Sequence, residues 1–573
     1  MTDHFSSARG MGNKSNSTRL LLWFMCGWFI VNAFQAYFLG VDADEAYYWM
    51  LSQQLDWGYF DHPPVVTLLI QAGESFGHGP FFTRLGTLLI STCSIAVIYA
   101  ALPDDLKNLK YYLWLFAATL LFNVYSFITT PDAPLLFFSA CFFYAYKRFL
   151  KAETLGNTLL MALSVTGMFY SKYHGVLPVL FVVLSNLRLL ANPKCWLMAA
   201  IVIILFFPHL YWQYAHEWAT VKFHLFERAT KKYKIEYTTN YLLGQLLVWG
   251  PVISIFFYIS LHKIKTKDKL VRAHLFNFTG ILSLFFLSSF RNNVQPHWTL
   301  VAGTSFVVLF MYLIVNGTDT FRRAFLTLCY INIALILITR ILFFIPGSPV
   351  VKIKNYKPFF QARAWADSIY QKAGATPVIF TNSYSAPSLY RFYHPDVTTI
   401  GYNTKTYRKT NYSISNEEKK LDGKDAFWFR EGAPADSLIK IFSAYKDGNL
   451  VPVKNFSAIQ NLKIRVTGLP QKVKKGQHLT VHLKIENNST DTIYNRNGLV
   501  IEYSYTPLSY TVNNGAGSMN FTESVIPPGY TTTIPFTIVA PAETGKNRIL
   551  FSFRNGIFDG NFASDYYRLE VAD

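Results

Sequence analysis

Between Val41 and Pro64 the chain places Asp42, Asp44, Glu45, Asp56, Asp61 and His62, with no Lys or Arg among them. Five carboxylates and an imidazole in one short loop can take up a proton, hold a hydroxyl or contribute oxygen ligands to a cation. A sixth acid, Asp132, stands in Thr129-Thr130-Pro131-Asp132-Ala133-Pro134, where two apolar stretches almost meet. A carboxylate at that depth calls for a partner or a function, although an acid beside proline also caps helices. Lys172-Tyr173-His174 and Arg291, with His297 following, supply cations of the kind that hold phosphate, and arginine suits bidentate capture. Snorkelling of Lys172 toward an interface is the simpler alternative. A longer basic loop carries His216, Glu217, His224, Glu227, Arg228, Lys231, Lys232 and Lys234, as a lid over a phosphate would or as a solvated loop would. Taken together these residue types suit displacement of a phosphate leaving group, with a carboxylate as base and cations on the departing oxygens.

What must hold these groups is a membrane. The 573 residues are 51% hydrophobic, 17% aromatic and only 15% charged, too apolar for an ordinary soluble chain of this length. Apolar stretches of membrane-spanning length recur near 19–39, 81–101, 111–128, 133–150, 155–171, 174–190, 195–213, 241–261, 273–290, 298–315 and 324–346, which predicts about eleven spans. The first follows Arg9, Lys14 and Arg19 without a small-residue cleavage motif, so a retained helix is expected there. With residues 1–18 as a cytoplasmic tail, the short inside loops hold Lys107, Lys110, Lys147, Arg148, Lys151, Arg188, Lys194, a basic run from Lys263 to Arg272, and Arg322 and Arg323. The acidic loop, Asp132, Lys172, the long basic loop and Arg291 then all fall on the opposite, extracytoplasmic side. So does everything after residue 347.

Two soluble pieces are expected there. Residues 348–457 mix helices at Phe359 to Ala373, Ala386 to Phe392 and Ala435 to Tyr445 with strands at Val378 to Thr381 and Ala426 to Phe429, a small α/β domain. Residues 458–573 alternate in short runs separated by Gly, Pro and Asn, which predicts an immunoglobulin-like β-sandwich. Tyr384, Tyr390, Tyr393 and His394 are candidates for stacking on sugars or for core packing. The net charge of +19 is scattered and forms no basic stripe, which argues against nucleic acid as a partner. The five cysteines all lie in apolar segments, leaving neither a disulfide framework nor a thiolate zinc site. No Walker or dinucleotide glycine pattern occurs.

The Asp-Glu-Ala-Tyr-Tyr-Trp run at 44–49, the Asp-Trp-Gly-Tyr-Phe-Asp-His-Pro-Pro run at 56–64, the Thr-Pro-Asp junction and Ser171-Lys172-Tyr173 resemble bacterial members of the dolichyl-phosphate-mannose protein mannosyltransferase superfamily. That group includes the lipid A aminoarabinose transferases. The resemblance covers roughly residues 20–345. It implies a polytopic helical domain of the membrane glycosyltransferase superfamily C fold over 19–347, in a bacterial inner membrane, with the C-terminal domains periplasmic. It further implies a monosaccharide donor on polyprenyl, specifically undecaprenyl, phosphate and an envelope glycolipid, glycan or protein acceptor.

By the same resemblance the catalytic acid maps to Asp44, with Glu45 beside it. Asp132 completes the catalytic set. Asp61, His62, Lys172, Tyr173, His174, Arg228, Arg291 and His297 are expected to bind the donor phosphate and substrate. The aminoarabinose branch commonly carries Glu-Lys-Pro-Pro where this chain has Asp61-His62-Pro63-Pro64. Histidine is cationic only when protonated, so more of the phosphate binding shifts to Lys172 or Arg291. Direct single displacement with inversion is the expected mechanism. A divalent cation on Asp44, Asp61, His62 and Asp132 is conceivable, but no spacing is diagnostic of one and an obligatory ion is not expected. A transporter for lipid-linked glycans and a non-catalytic anchor displaying a sugar-binding sandwich are the alternatives. The first lacks paired interrupted helices in matching halves, and the second leaves the acidic loop unexplained.

Overall fold

The computed structural model describes residues 3–227, 233–432, 438–507 and 512–573, which divide into two compact units. The first contains residues up to Trp212 and Tyr233–Tyr356; the second contains Gln213–Lys232 and everything from Lys357.

The first unit is helical. Six of its described helices are long and apolar enough to cross a membrane: Asn16–Phe38, Pro80–Ala101, Pro193–Ala215, Lys269–Ser289, Pro296–Val315 and Asp319–Leu342. A seventh span exists if the bent pair Ile235–Val248 and Pro251–Lys263 counts as one. This falls short of the eleven stretches read from hydropathy, and the local chemistry says why. The expected span at 241–261 turns by 100° where Gly250 adopts φ +120° ahead of Pro251. A β-carbon on Gly250 would sit 1.9 Å from Asn332 Nδ2, so only glycine fits the corner. The expected span at 111–128 breaks at the extended Thr119 into Leu109–Ala118 and Leu120–Val124. Asn123 Nδ2 donates to Ala117 O at 2.8 Å and Asn332 Nδ2 to Ala118 O at 3.2 Å, satisfying carbonyls that apolar surroundings would leave unpaired. The stretch at 174–190 is divided into a ten-residue α-helix, Val176–Ser185, between 3-10 turns at Tyr173–Gly175 and Leu187–Ala191. The stretches at 133–150 and 155–171 do form helices, Asp132–Lys151 and Leu155–Ser171.

The acidic loop folds into two short helices between α1 (Asp3–Phe38) and α4 (Pro80–Ala101), namely α2 (Ala43–Ser52) and α3 (Val65–Glu74). α2 starts with a reciprocal cap: Asp42 accepts from Asp44 N at 3.1 Å and Glu45 accepts from Asp42 N at 2.9 Å. Tyr47, Tyr48 and Trp49 are buried, so these aromatics pack the unit.

In the second unit a five-stranded sheet has the order β2 (Thr399–Tyr402), β1 (Val378–Thr381), β3 (Ala426–Glu431), β5 (Gly448–Val453), β4 (Ile439–Ile441). β1 is parallel to β2 and β3, while β5 is antiparallel to β3 and β4. Helices Lys357–Ala373 and Ser385–Tyr393 form as expected. The helix expected at Ala435 to Tyr445 is corrected. Ile439–Ile441 pairs with Gly448–Leu450 as a strand edge, and residues 435–437 lie outside the described residues.

The sandwich sets β6 (Leu462–Thr467), β8 (His478–Asn487) and β13 (Thr531–Val539) in one sheet. The other has the order β11 (Asn513–Phe521), β10 (Leu499–Pro507), β14 (Gly545–Asn555), β15 (Tyr567–Ala572), β7 (Lys472–Lys474). β7 joins β15 in parallel while the other pairs are antiparallel, and the inward Val481, Leu483, Ile485, Phe551 and Phe553 fill the core. The sandwich and the α/β piece share a core in which Tyr402, Phe456 and Phe558 meet.

Candidate active site

α2 is set in place by one buried ion pair. Glu45 and Arg84 are both fully buried, with Arg84 Nε 2.8 Å from Oε1 and Nη2 2.5 Å from Oε2. The remaining guanidinium donors reach Ala36 O, Leu39 O and Gly40 O at 2.7–3.0 Å, closing the carbonyl end of α1. Thr129 N adds a 2.8 Å bond to Glu45 Oε1. One residue earlier, Asp44 stands half-buried in the first turn of α2. The end of α1, the start of α2 and the Thr-Pro-Asp junction therefore converge on Glu45. Burial, followed by the charges of Asp44 and Glu45, pushes Asp42 up to about 7.

Asp132 is buried at the first turn of its helix. Lys172 Nζ lies 2.9 Å from both of its oxygens and His297 Nε2 lies 3.9 Å from Oδ2. His174 packs beside Trp298, ring centroids 5.4 Å apart. The Tyr125 ring is 5.5 Å from that of His297 and lies within electrostatic reach of Asp132, Asp42 and Asp44 together. That links the first-loop acids to the Asp132 cluster.

The rest of the loop is clamped from both sides. Asp61 accepts a 2.9 Å bond from Tyr47 Oη of α2, and the His62 ring packs on Tyr48 at 5.7 Å. Tyr173 Oη lies 3.2 Å from His209 Nε2, whose Nδ1 is 2.7 Å from Trp57 O; Trp212 Nε1 donates to Asp56 at 2.7 Å.

Of the residues expected from the sequence, the fold gathers Asp44, Glu45, Asp61, His62, Asp132, Lys172, Tyr173, His174 and His297 into these linked clusters. Arg291 is exposed past the end of helix Lys269–Ser289 and makes no ion pair among the described residues. Arg228 lies outside the described residues. Two expectations shift with the geometry. Lys172 is committed to Asp132 rather than snorkelling, and among the described residues no three His, Cys, Asp or Glu side chains converge as ion ligands.

Arg84 and the His209–Trp212 pair were not among the expected residues. A lone arginine five residues into an apolar helix was the available signal for Arg84, since such a charge demands an acidic partner. Nothing local marks His209 or Trp212, whose partner is 152 to 156 positions away.

Residues 61–212 match the family model described as dolichyl-phosphate-mannose-protein mannosyltransferase. Lipid A galacturonosyltransferase RgtD from Rhizobium johnstonii is 28% identical over 196 residues, which covers 31% of this chain and 40% of that relative. Two solved structures of ArnT from Cupriavidus metallidurans, one in the apo state and one bound to undecaprenyl phosphate, superpose with a TM-score of 0.54. They cover 76% of this chain and 98% of theirs at 14% identity. The chain has the fold of ArnT. Its resemblance to the mannosyltransferase superfamily thus stands on a sequence match and on an ArnT-like architecture. The matched segment contains Asp61, His62, Asp132, Lys172, Tyr173 and His174, whereas Asp44, Glu45 and His297 lie outside it.

Proposed function

We propose that this protein is an integral-membrane glycosyltransferase that moves a monosaccharide from a polyprenyl phosphate carrier to a lipid, glycan or protein acceptor. The reaction takes place on the periplasmic face of a bacterial inner membrane, with the N-terminus cytoplasmic. The observation that carries this reading is the placement of Asp44 on a short helix locked by Glu45–Arg84, with Tyr125, whose ring packs on His297 beside the Asp132–Lys172 pair, within reach of the charges of both Asp44 and Asp132. The ArnT fold, the mannosyltransferase match and the names of the relatives support it.

In this reading Asp44 accepts the proton of the acceptor hydroxyl as its oxygen attacks the anomeric carbon. The bond from that carbon to the carrier's phosphate oxygen breaks, and the polyprenyl phosphate leaves with the electron pair, giving inversion. Asp44 then releases the proton. Glu45 positions Asp44, because its two oxygens are already occupied by Arg84, Thr129 N and Asp42 N. Lys172, fixed by Asp132, and His297 lie on the side where the leaving phosphate gathers charge, while Asp61, His62, Tyr173, His174 and Arg291 shape the donor pocket. The residues present require no metal in this scheme.

The test is transfer by the purified protein in detergent from a panel of undecaprenyl-phosphate monosaccharides to envelope lipids and proteins, alongside Asp44→Asn. The expected result is a labelled acceptor with inverted anomeric configuration, lost in Asp44→Asn while the protein stays folded. Wild-type turnover undiminished in Asp44→Asn, product of retained configuration, or translocation in liposomes without turnover would each overturn the reading.

A further inference from the structure

The α/β sheet of the second unit encloses a cavity of about 350 Å³ that plays no part in the transfer scheme. It lies where the strand order reverses. From β1 the chain passes through helix Ser385–Tyr393 to β2 on one side, whereas β3, the parallel neighbour on the other side, leads on to β4 and β5. Connections leaving the adjacent carboxyl ends of β1 and β3 therefore diverge, and the crevice so opened is where open α/β sheets bind small ligands.

The walls are polar and cationic around an aromatic base. Thr381 and Asn382 come from the end of β1, Trp428, Arg430 and Glu431 from β3, and Lys446 from the approach to β5. Trp428 Nε1 donates to Thr381 Oγ1 at 3.2 Å, and the Arg430 guanidinium lies 5.9 Å over the indole. A guanidinium laid against a ring keeps its in-plane N–H fork for a carboxylate or phosphate. Lys446 pairs with Glu431, so the lining carries two cations against one carboxylate. Asn382 holds φ +53°, anchored by Thr404 N and Oγ1 donating to Oδ1 at 2.9 and 3.0 Å. The first turn of helix Ser385–Tyr393, where Ala386 N donates to Ser383 Oγ at 3.0 Å, adds its positive dipole end. The volume falls at the lower end of small-molecule sites, roughly 300–1,000 Å³.

We propose that this crevice binds a sugar unit bearing an acidic group, carboxylate or phosphate, with Arg430 on the acid and Asn382, Thr381 and Trp428 around the ring. The assignment does not rest on the transferase reading.

Calorimetric titration of the full-length protein in detergent with glucuronic acid, glucose 6-phosphate and glucose tests it. At least one acidic probe is expected to bind about 10-fold or more tighter than glucose, as a charge-assisted fork provides. Binding of glucuronic acid alone names a carboxylate ligand, and of glucose 6-phosphate alone a phosphate. Arg430→Ala, at an exposed position, removes the preference; Asn382→Gly, which tolerates the backbone angle, weakens all binding; Arg465→Ala on the sandwich changes nothing. Asp44→Asn protein binds as wild type does. Absence of heat with all three probes, equal affinity for glucose, indifference to Arg430→Ala, or loss in Asp44→Asn would overturn the assignment.

Discussion

Replacing Arg84 with methionine isolates what holds the catalytic helix. The wild-type guanidinium makes two contacts to Glu45 and three to the last carbonyls of α1 and its exit, all within 3.0 Å and all shielded from solvent. Methionine fills much of the volume but leaves a buried carboxylate with Thr129 N and Asp42 N as its remaining donors among the described residues. Removing one partner of a buried pair costs about 3–5 kcal/mol. At roughly 2 °C per kcal/mol for a unit of this size, the unfolding midpoint should fall by about 6–10 °C. Adding Glu45→Gln removes the stranded charge and should restore about 2 kcal/mol, while Arg84→Lys keeps the charge, loses the fork and should fall between. Differential scanning fluorimetry in detergent on wild type, Arg84→Met, Glu45→Gln and the double variant closes a double-mutant cycle, with Arg84→Lys measured beside it, and sugar transfer well below each midpoint reads the position of Asp44. An Arg84→Met midpoint within 2 °C of wild type, or a double variant no better than the sum of the singles, would refute this account of Glu45.

Lys172→Met should abolish transfer and destabilise by about 3–5 kcal/mol; Lys172→Met with Asp132→Asn should recover the midpoint but not activity, as unfolding and turnover assays would show. Gly58→Ala puts a β-carbon 2.6 Å from the Trp212 ring and 2.9 Å from His209 Nδ1. It should displace the Asp56–Asp61 segment, costing about 1–3 kcal/mol and raising the donor KM more than it lowers kcat. Glu418 accepts from Ile459 N, and burial pushes its carboxyl up to about 7. An acid raised in the folded state favours folding below its unfolded value, and that contribution is lost as pH rises through the folded one. Melts of the second unit should therefore weaken between about pH 4.5 and 7, and Glu418→Gln should flatten that slope.

Motif chemistry was more legible in this chain than helix count. The acids of the first loop, and Asp132, Lys172 and His297 singly, stand out by residue type and position beside apolar runs, whereas the Asp42 cap and the pairing of Asp132 with Lys172 appear only in the fold. Hydropathy could not show that Thr119 and Gly250 break two of those runs, because the carbonyls freed at Thr119 are satisfied by Asn123 and by Asn332, more than 200 residues from Ala118, and Val252 N beyond the Gly250 corner donates to the same Asn332. Alternation located the sandwich strands from Leu462 onward. It missed β11, whose Asn-Asn-Gly-Ala-Gly-Ser sequence has no apolar period, and near 439 it read a helix where pairing with Leu450 imposes a strand. Arg84 was overlooked because its meaning lies in Glu45, 39 positions earlier.

The segment Gln213–Lys232 leaves the helical unit and returns to it, yet its packing partners are in the C-terminal unit: Phe223 lies under the Arg408 guanidinium and Lys222 pairs with Asp565. The two units are consequently joined by three chain crossings, at 212–213, 232–233 and 356–357. A truncation at residue 356 would strand an orphaned excursion rather than yield a clean membrane domain. Chimeras that exchange C-terminal units between relatives would have to transplant this excursion with them, so insertion and tail form a single exchangeable module although the sequence separates them by more than a hundred residues.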